Sequence, residues 1–254
     1  MTRGAVILVT AAAMALTIAA GSAGATPAEG GLALPDVQSP AGIATTLKWL
    51  AIVTVLALAP AVLVMVTSFT RIVVVLGLLR QAMATPQLPP NQILFGLALL
   101  MTLVVMAPVY KDVHSQAVRP YLDGKLDQQS ALSAAEKPVR AFCIGQIDAG
   151  GNSEDVGLFL PEELAGRDDL TWRDVPTLSL IPAFVVSELK IAFWMGFRIF
   201  LPFLIVDMLV ASVLVSMGML MLPPVLISLP FKLLLFVLAD GWHLVVGTLM
   251  GSFA

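Results

Sequence analysis

Residues 216–230 read "SMGMLMLPPVLISLP": three methionines and a glycine within six residues, two adjacent prolines, a third proline six residues on, and no charge anywhere. Pro223 and Pro224 cannot carry a helix onward, because each lacks the N–H and each pushes the residue before it out of the helical region. Gly218 adds conformational freedom just ahead of them. The stretch is therefore a forced loop inside apolar sequence, and it decides the fold. The apolar run before it ("SLIPAFVVSELKIAFWMGFRIFLPFLIVD") and the apolar run after it ("VLISLPFKLLLFVLADGWHLVVGTLMGSF") are the two arms of a helical hairpin over residues 178–254, with the loop at 217–224.

By composition alone, Met217, Met219 and Met221 are apolar filler, since methionine packs irregular gaps and repacks at little cost. The forced break argues for more, because loop tips rarely carry packed filler. A ring of such loops, one from each of several subunits, would plug a pore by dry packing, whereas a charged ring would draw ions in.

Outward from this hairpin, the chain is 58% hydrophobic and 12% charged, with a formal net charge of -3 over 254 residues. Such a composition is that of a membrane protein. No basic run or aromatic-basic ladder is present, which excludes nucleic-acid binding. Residues 110–177 hold 7 of the 14 Lys and Arg and 12 of the 17 Asp and Glu. They form one polar insert between two apolar blocks. Its single cysteine, Cys143, supports no disulfide framework and reads as a small buried apolar residue.

Arg3, the short apolar run Ala5–Ala20 and Ala23-Gly24-Ala25 read as a cleavable signal peptide over residues 1–25. Residues 26–46, rich in Gly, Pro and Ala, read as a linker. Residues 47–109 read as a first hairpin. Its first arm, Leu47 to Met83, would be roughly 55 Å long as one helix. A bilayer core is about 30 Å, so the arm is either a span plus an extension or a long helix kinked at Pro60. Arg71, too costly against lipid, must face protein or water. The proline-rich "ATPQLPPNQ" (84–92) is the turn. Two long kinked hairpins around a polar insert give an all-α, membrane-associated fold. The signal peptide puts the mature start outside the cytoplasm. Arg71 and Arg80 near the first turn then agree with the positive-inside bias, and the insert falls on the periplasmic side.

Chemistry is sparse. No nucleophile elbow, zinc-protease motif, phosphate loop or dinucleotide fingerprint occurs, so neither an enzyme nor a cofactor is expected. His114 and His243 lack metal-ligand spacing, and Asp240-Gly241 reads as a helix break. Lys190, Trp194 and Arg198 share one helix face at intervals of four. Glu188 lies about 200° around the helix from Lys190, at 100° per residue, and needs another base: Lys232, Arg71 or one from another subunit. Asp207 pairs with Lys232 or faces water. Two functions compete at this level, a structural clamp and an ion-coupled transporter using Glu188 and Asp207.

Four stretches together resemble the FliP family of flagellar biosynthetic proteins, export-gate components of type III secretion: "LAPAVLVMVTSFTRIVVVLGLLRQAM", "TPQLPPNQILFGLALLMTLVVMAPV", "IPAFVVSELKIAFWMGFRIFLPFLIVDMLVASVLVSMGMLMLPP" and "ISLPFKLLLFVLADGWHLVVGTL". The resemblance runs from about residue 47 onward. It implies a subunit that assembles, usually in five copies, with FliQ and FliR and further export-apparatus proteins. The assembly lies in the bacterial inner membrane at the flagellar basal body, where unfolded flagellar subunits pass through it. It implies hairpins packed into a cone that rises toward the periplasm, and a gate gasket at Met217, Met219, Leu220 and Met221. Leu220 stands where the family often has methionine. It also implies inter-subunit polar contacts through Glu188 of "SELK" and Lys232 of "LPFK", with Lys190 and Arg198 beside them.

Overall fold

The computed structural model describes residues 40–85, 88–164, 166–167, 169–219 and 221–253. The regular elements among them are all helical, and the fold is all-α and membrane-associated, with kinked helix pairs. The chain divides into two compact units, 1–57 and 58–254. The described part of the first is the beginning of helix α1 (Pro40–Met65). The second holds α2 (Phe69–Ala82), α3 (Asn91–Val105), α4 (Ala107–Val113), a π-helical turn His114–Val118, and α5 (Arg119–Leu122). It continues through α6 (Gln128–Ala149), a 3-10 turn Ser153–Phe159, α7 (Thr177–Ser216), α8 (Pro224–Leu238) and α9 (Gly241–Gly251).

Two sequence expectations change here. The signal peptide at 1–25 and the linker up to residue 39 lie outside the described residues, but Pro40–Thr46, read as linker, belong to α1. Pro40 takes the first helical position, where a missing N–H costs nothing. Nor does the helix break at Pro60, which sits inside α1. A proline removes one ladder bond, but in apolar sequence the remaining backbone groups have no better partner than the helix itself. The break comes instead at 66–68. There Thr67 Oγ1 donates to Val64 O at 3.1 Å and accepts from Phe69 N at 3.4 Å. A hydroxyl that satisfies local backbone groups competes with the helical ladder.

Helix α7 is 40 residues long, about 60 Å at 1.5 Å per residue and twice the hydrocarbon thickness of a bilayer. Its length and hydropathy suffice to cross a membrane. Two further candidate spans are bent: α3 with Ala107–Leu122 at 55°, and α8 with α9 at 64°. The second bend falls at Asp240, whose φ of 48° is left-handed, so the Asp240-Gly241 break read from sequence is a sharp corner.

Helix α7 is the hub: it packs on α2, which also carries α3, and it bears α6 and the 3-10 turn along its first half and α8 further on. Ile72, Val75, Leu76 and Leu79 of α2 join Ala98 of α3, Phe203 of α7 and Leu249 of α9 in the larger core. A second core gathers Cys143, Ile147, Val156, Leu180 and Phe184, so the polar insert is anchored on the start of α7. Arg140 fixes that junction by donating to Val175 O at 2.8 Å, Trp172 O at 3.1 Å and the Thr177 hydroxyl.

Candidate functional site: a methionine loop and buried ion pairs

Helix α7 ends in a Schellman motif: Met219 N donates to Leu214 O at 2.9 Å and Gly218 N to Val215 O at 3.0 Å, with Gly218 at φ 75°. Pro223 precedes α8 and Pro224 opens it. Between these stops the described methionines point outward, with Met217 67%, Met219 40% and Met221 96% exposed. Leu220 lies outside the described residues.

The charged candidates behave differently. Arg71 and Glu188 are 1% and 0% exposed and form a two-point pair, Nε to Oε2 at 2.8 Å and Nη2 to Oε1 at 2.5 Å. Arg71 Nη2 also donates to Gln146 Oε1 at 2.9 Å, and Nη1 to Ser252 O at 2.8 Å and Ser252 Oγ at 3.1 Å. All five N–H donors of the guanidinium are thus used. Phe253 closes the shell, its ring centroid 4.0 Å from the guanidinium carbon. Gln146, Ser252 and Phe253 carried no sequence signal, because polar and aromatic residues far apart in the chain give no hint of convergence.

Glu188, expected as an inter-subunit contact, has both its oxygens on Arg71 of the same chain. Lys232 likewise meets partners of its own chain. It is 3% exposed, and it donates to Asp207 Oδ2 at 2.6 Å and Ala82 O at 3.2 Å. Ser228 Oγ adds a bond to Asp207 Oδ1 at 2.5 Å. Lys190 also finds its partner within the chain, both Asp155 oxygens at 2.5 and 2.6 Å. Arg198 differs: it is exposed, its guanidinium carbon lies 5.2 Å from the Trp194 ring centroid, and among the described residues it has no carboxylate partner.

The same geometry weighs against an ion-coupled transporter. Glu188 and Asp207 stand 19 residues apart on one helix, about 28 Å along its axis. Each is matched to its own base, so no shared carboxylate site for a travelling ion is built from them.

Residues 52–249 match the model of the FliP family. The chain is a member of that family. It is 46% identical over 216 residues to the flagellar biosynthetic protein FliP of Bacillus subtilis (strain 168), covering 85% of this chain and 96% of the relative. It is 48% identical over 202 residues to that of Caulobacter vibrioides, covering 80% and 74%. With the Treponema pallidum protein it shares 44% over 218 residues, covering 86% and 79%. The FliP match spans the methionine loop, Arg71, Glu188, Asp207 and Lys232, while Ser252 and Phe253, which complete the arginine's surroundings, fall just beyond it.

Proposed function

We propose that this FliP-family chain is a structural subunit of the flagellar type III export gate. Several copies, five by family resemblance, assemble with FliQ and FliR around the channel through which unfolded flagellar proteins leave the cytoplasm. The subunit does no catalysis of its own and lies in the inner membrane. Its polar insert, residues 110–177, faces the periplasm, and its methionine loop lies toward the cytoplasm.

The observation that carries this reading is the exposure of Met217, Met219 and Met221 on a loop closed at both ends by backbone stops. Thioether side chains left out of their own protomer's core need another apolar surface to cover them, and copies of the same loop around an axis supply one. Flexible unbranched side chains seal such a ring yet yield to a passing chain. The intramolecular pairing of Glu188, Lys190 and Lys232 supports a rigid protomer that presents the loop.

The test is electrical. Replacing Met217, Met219 and Met221 together with alanine opens the seal, and resting membranes carrying the assembled complex conduct small ions. An unchanged conductance in fully assembled complex removes the gasket assignment.

A further inference from the structure

Two cavities of the second unit meet at Arg198. One, of about 310 Å³, lies between α2, α7, α8 and α9 and is walled by carbon-rich side chains, Phe203, Phe236, Leu244 and Val245 among them. The other, of about 650 Å³, is the more polar of the two, though Ile191, Trp194 and Met195 also line it: Arg71, Gln146, Lys190 and Arg198 face it, and none of its described lining residues is a carboxylate. Met195, Arg198 and Thr248 belong to both.

The charges around the polar lobe do not balance. Arg71 is matched to Glu188 and Lys190 to Asp155. Arg198 is left over, with its guanidinium carbon over the Trp194 ring at 5.2 Å from the centroid, within cation–π range. The joined cavities therefore present one uncompensated cation beside an apolar lobe. The occupant they fit carries one anionic group and an apolar chain. The apolar lobe lies at the low end of the roughly 300–1,000 Å³ of small-molecule sites. The helix that bears Arg198 is long and apolar enough to cross a membrane. Basic pockets between such helices hold lipid headgroups, and an arginine fork suits phosphate oxygens better than a lysine does.

We propose that this two-lobed cavity binds one anionic phospholipid, its phosphate on Arg198 and an acyl chain in the apolar lobe. A free phosphate, or an acidic side chain from a neighbouring protein, would match the arginine but leave the apolar lobe empty.

The experiment uses the full chain, extracted in mild detergent and examined by native mass spectrometry. It is titrated with phosphatidylglycerol and with phosphatidylcholine of the same acyl chains. The intact chain retains a single phosphatidylglycerol, preferred about tenfold, the discrimination of one well-made charged contact. Arg198→Gln abolishes the preference. Leu244→Trp, which fills the apolar lobe from an exposed position, lowers retention of both lipids with Arg198 still present. Neither change touches a buried side chain, so both variants fold, and unchanged helical content by circular dichroism verifies it. Wild-type retention by Arg198→Gln overturns the site. Loss in Arg198→Gln alone, with Leu244→Trp binding normally, reduces the cavity to a surface charge and overturns the acyl-chain half. Unchanged lipid retention in Arg198→Gln, together with release of partner subunits from the complex, assigns the arginine to a protein acid instead.

Discussion

At the scale of single residues, the decisive object is the Arg71–Glu188 pair, because its two members are nearly inaccessible and every arginine donor is used. Removing one member strands the other charge in a low-dielectric interior. Arg71→Met and Glu188→Leu should each cost about 3–5 kcal/mol, while the double replacement should be far milder, because no uncompensated charge remains. A double-mutant cycle on thermal unfolding in detergent checks this, and additive single effects would refute it. The sequence went half way here. It showed that Glu188 needs a base other than Lys190, and named Arg71 among three candidates. It had no means to choose, since the partner lies 117 positions away. A second case runs against habit. Ser68 precedes α2 where a capping serine belongs, yet it is fully buried and its Oγ has no partner. An N-cap serine normally stabilises through a bond to the first-turn backbone, but none is made here. Ser68→Ala should therefore raise stability by about 1 kcal/mol, by deleting an unsatisfied buried hydroxyl. A lowered melting temperature would count against that argument.

At the scale of elements, two glycines set how closely helices approach. A Cβ on Gly196 would come within 2.2 Å of Leu78 Cδ1 and 3.2 Å of Leu78 Cβ, so α7 and α2 pack at this point only because the methyl is missing. A Cβ on Gly241 would strike the Phe236 ring at 2.2 Å, at the corner where α8 turns into α9. The leucine can swing its far end aside, but the ring is rigid and tilted against Phe203 and Trp242. Gly241→Ala should thus destabilise by about 1–3 kcal/mol, the cost of overpacking, and Gly196→Ala by less. Melting curves of the two variants in one detergent rank them, and equal or reversed effects would show that the corner relaxes freely. Where two prolines come soon after a glycine, at 218–224, three features agree against a helix, and α7 ends at Ser216 while α8 begins at Pro224. At Pro60 a lone proline competes with a helix that has no other way to satisfy its backbone, and α1 runs on through it. The insert could not be folded from sequence, because α6 is a long, mostly polar helix whose apolar stripe is narrow. The buried positions Cys143 and Ile147 are ordered by α7, not by local pattern.

At the scale of the whole molecule, the sequence conveyed the order of apolar and polar blocks, and from it came the proposed side of the membrane for each connection. Periodicity alone does not tell a membrane-crossing helix from one that packs against partner subunits, since both bury apolar side chains on all sides. The sidedness, in contrast, can be tested directly. The native cysteine gives almost no background: Cys143 is 2% exposed, and burial, with the Glu188 carboxylate nearby, pushes its thiol up to about 12. Thiolate is the reactive form. At pH 7 to 8 the folded chain should therefore resist alkylation and label only when unfolded, which a gel-shift reagent reads. On that silent background, Leu132→Cys in the insert, Leu88→Cys in the first turn and Met221→Cys in the methionine loop report their own compartments, since the parent leucines and methionine are 73%, 66% and 96% exposed. With a membrane-impermeant maleimide on cells whose outer membrane has been made permeable, the proposed orientation requires Leu132→Cys to label at once. Leu88→Cys and Met221→Cys should label only after the inner membrane is opened. Labelling of all three from outside would break the proposed topology without touching the protomer fold. Once the partners assemble, Met221→Cys should become slow even in opened membranes, because a closed ring of loops leaves little room for the reagent. A rate that does not change on assembly would mean the tips never meet.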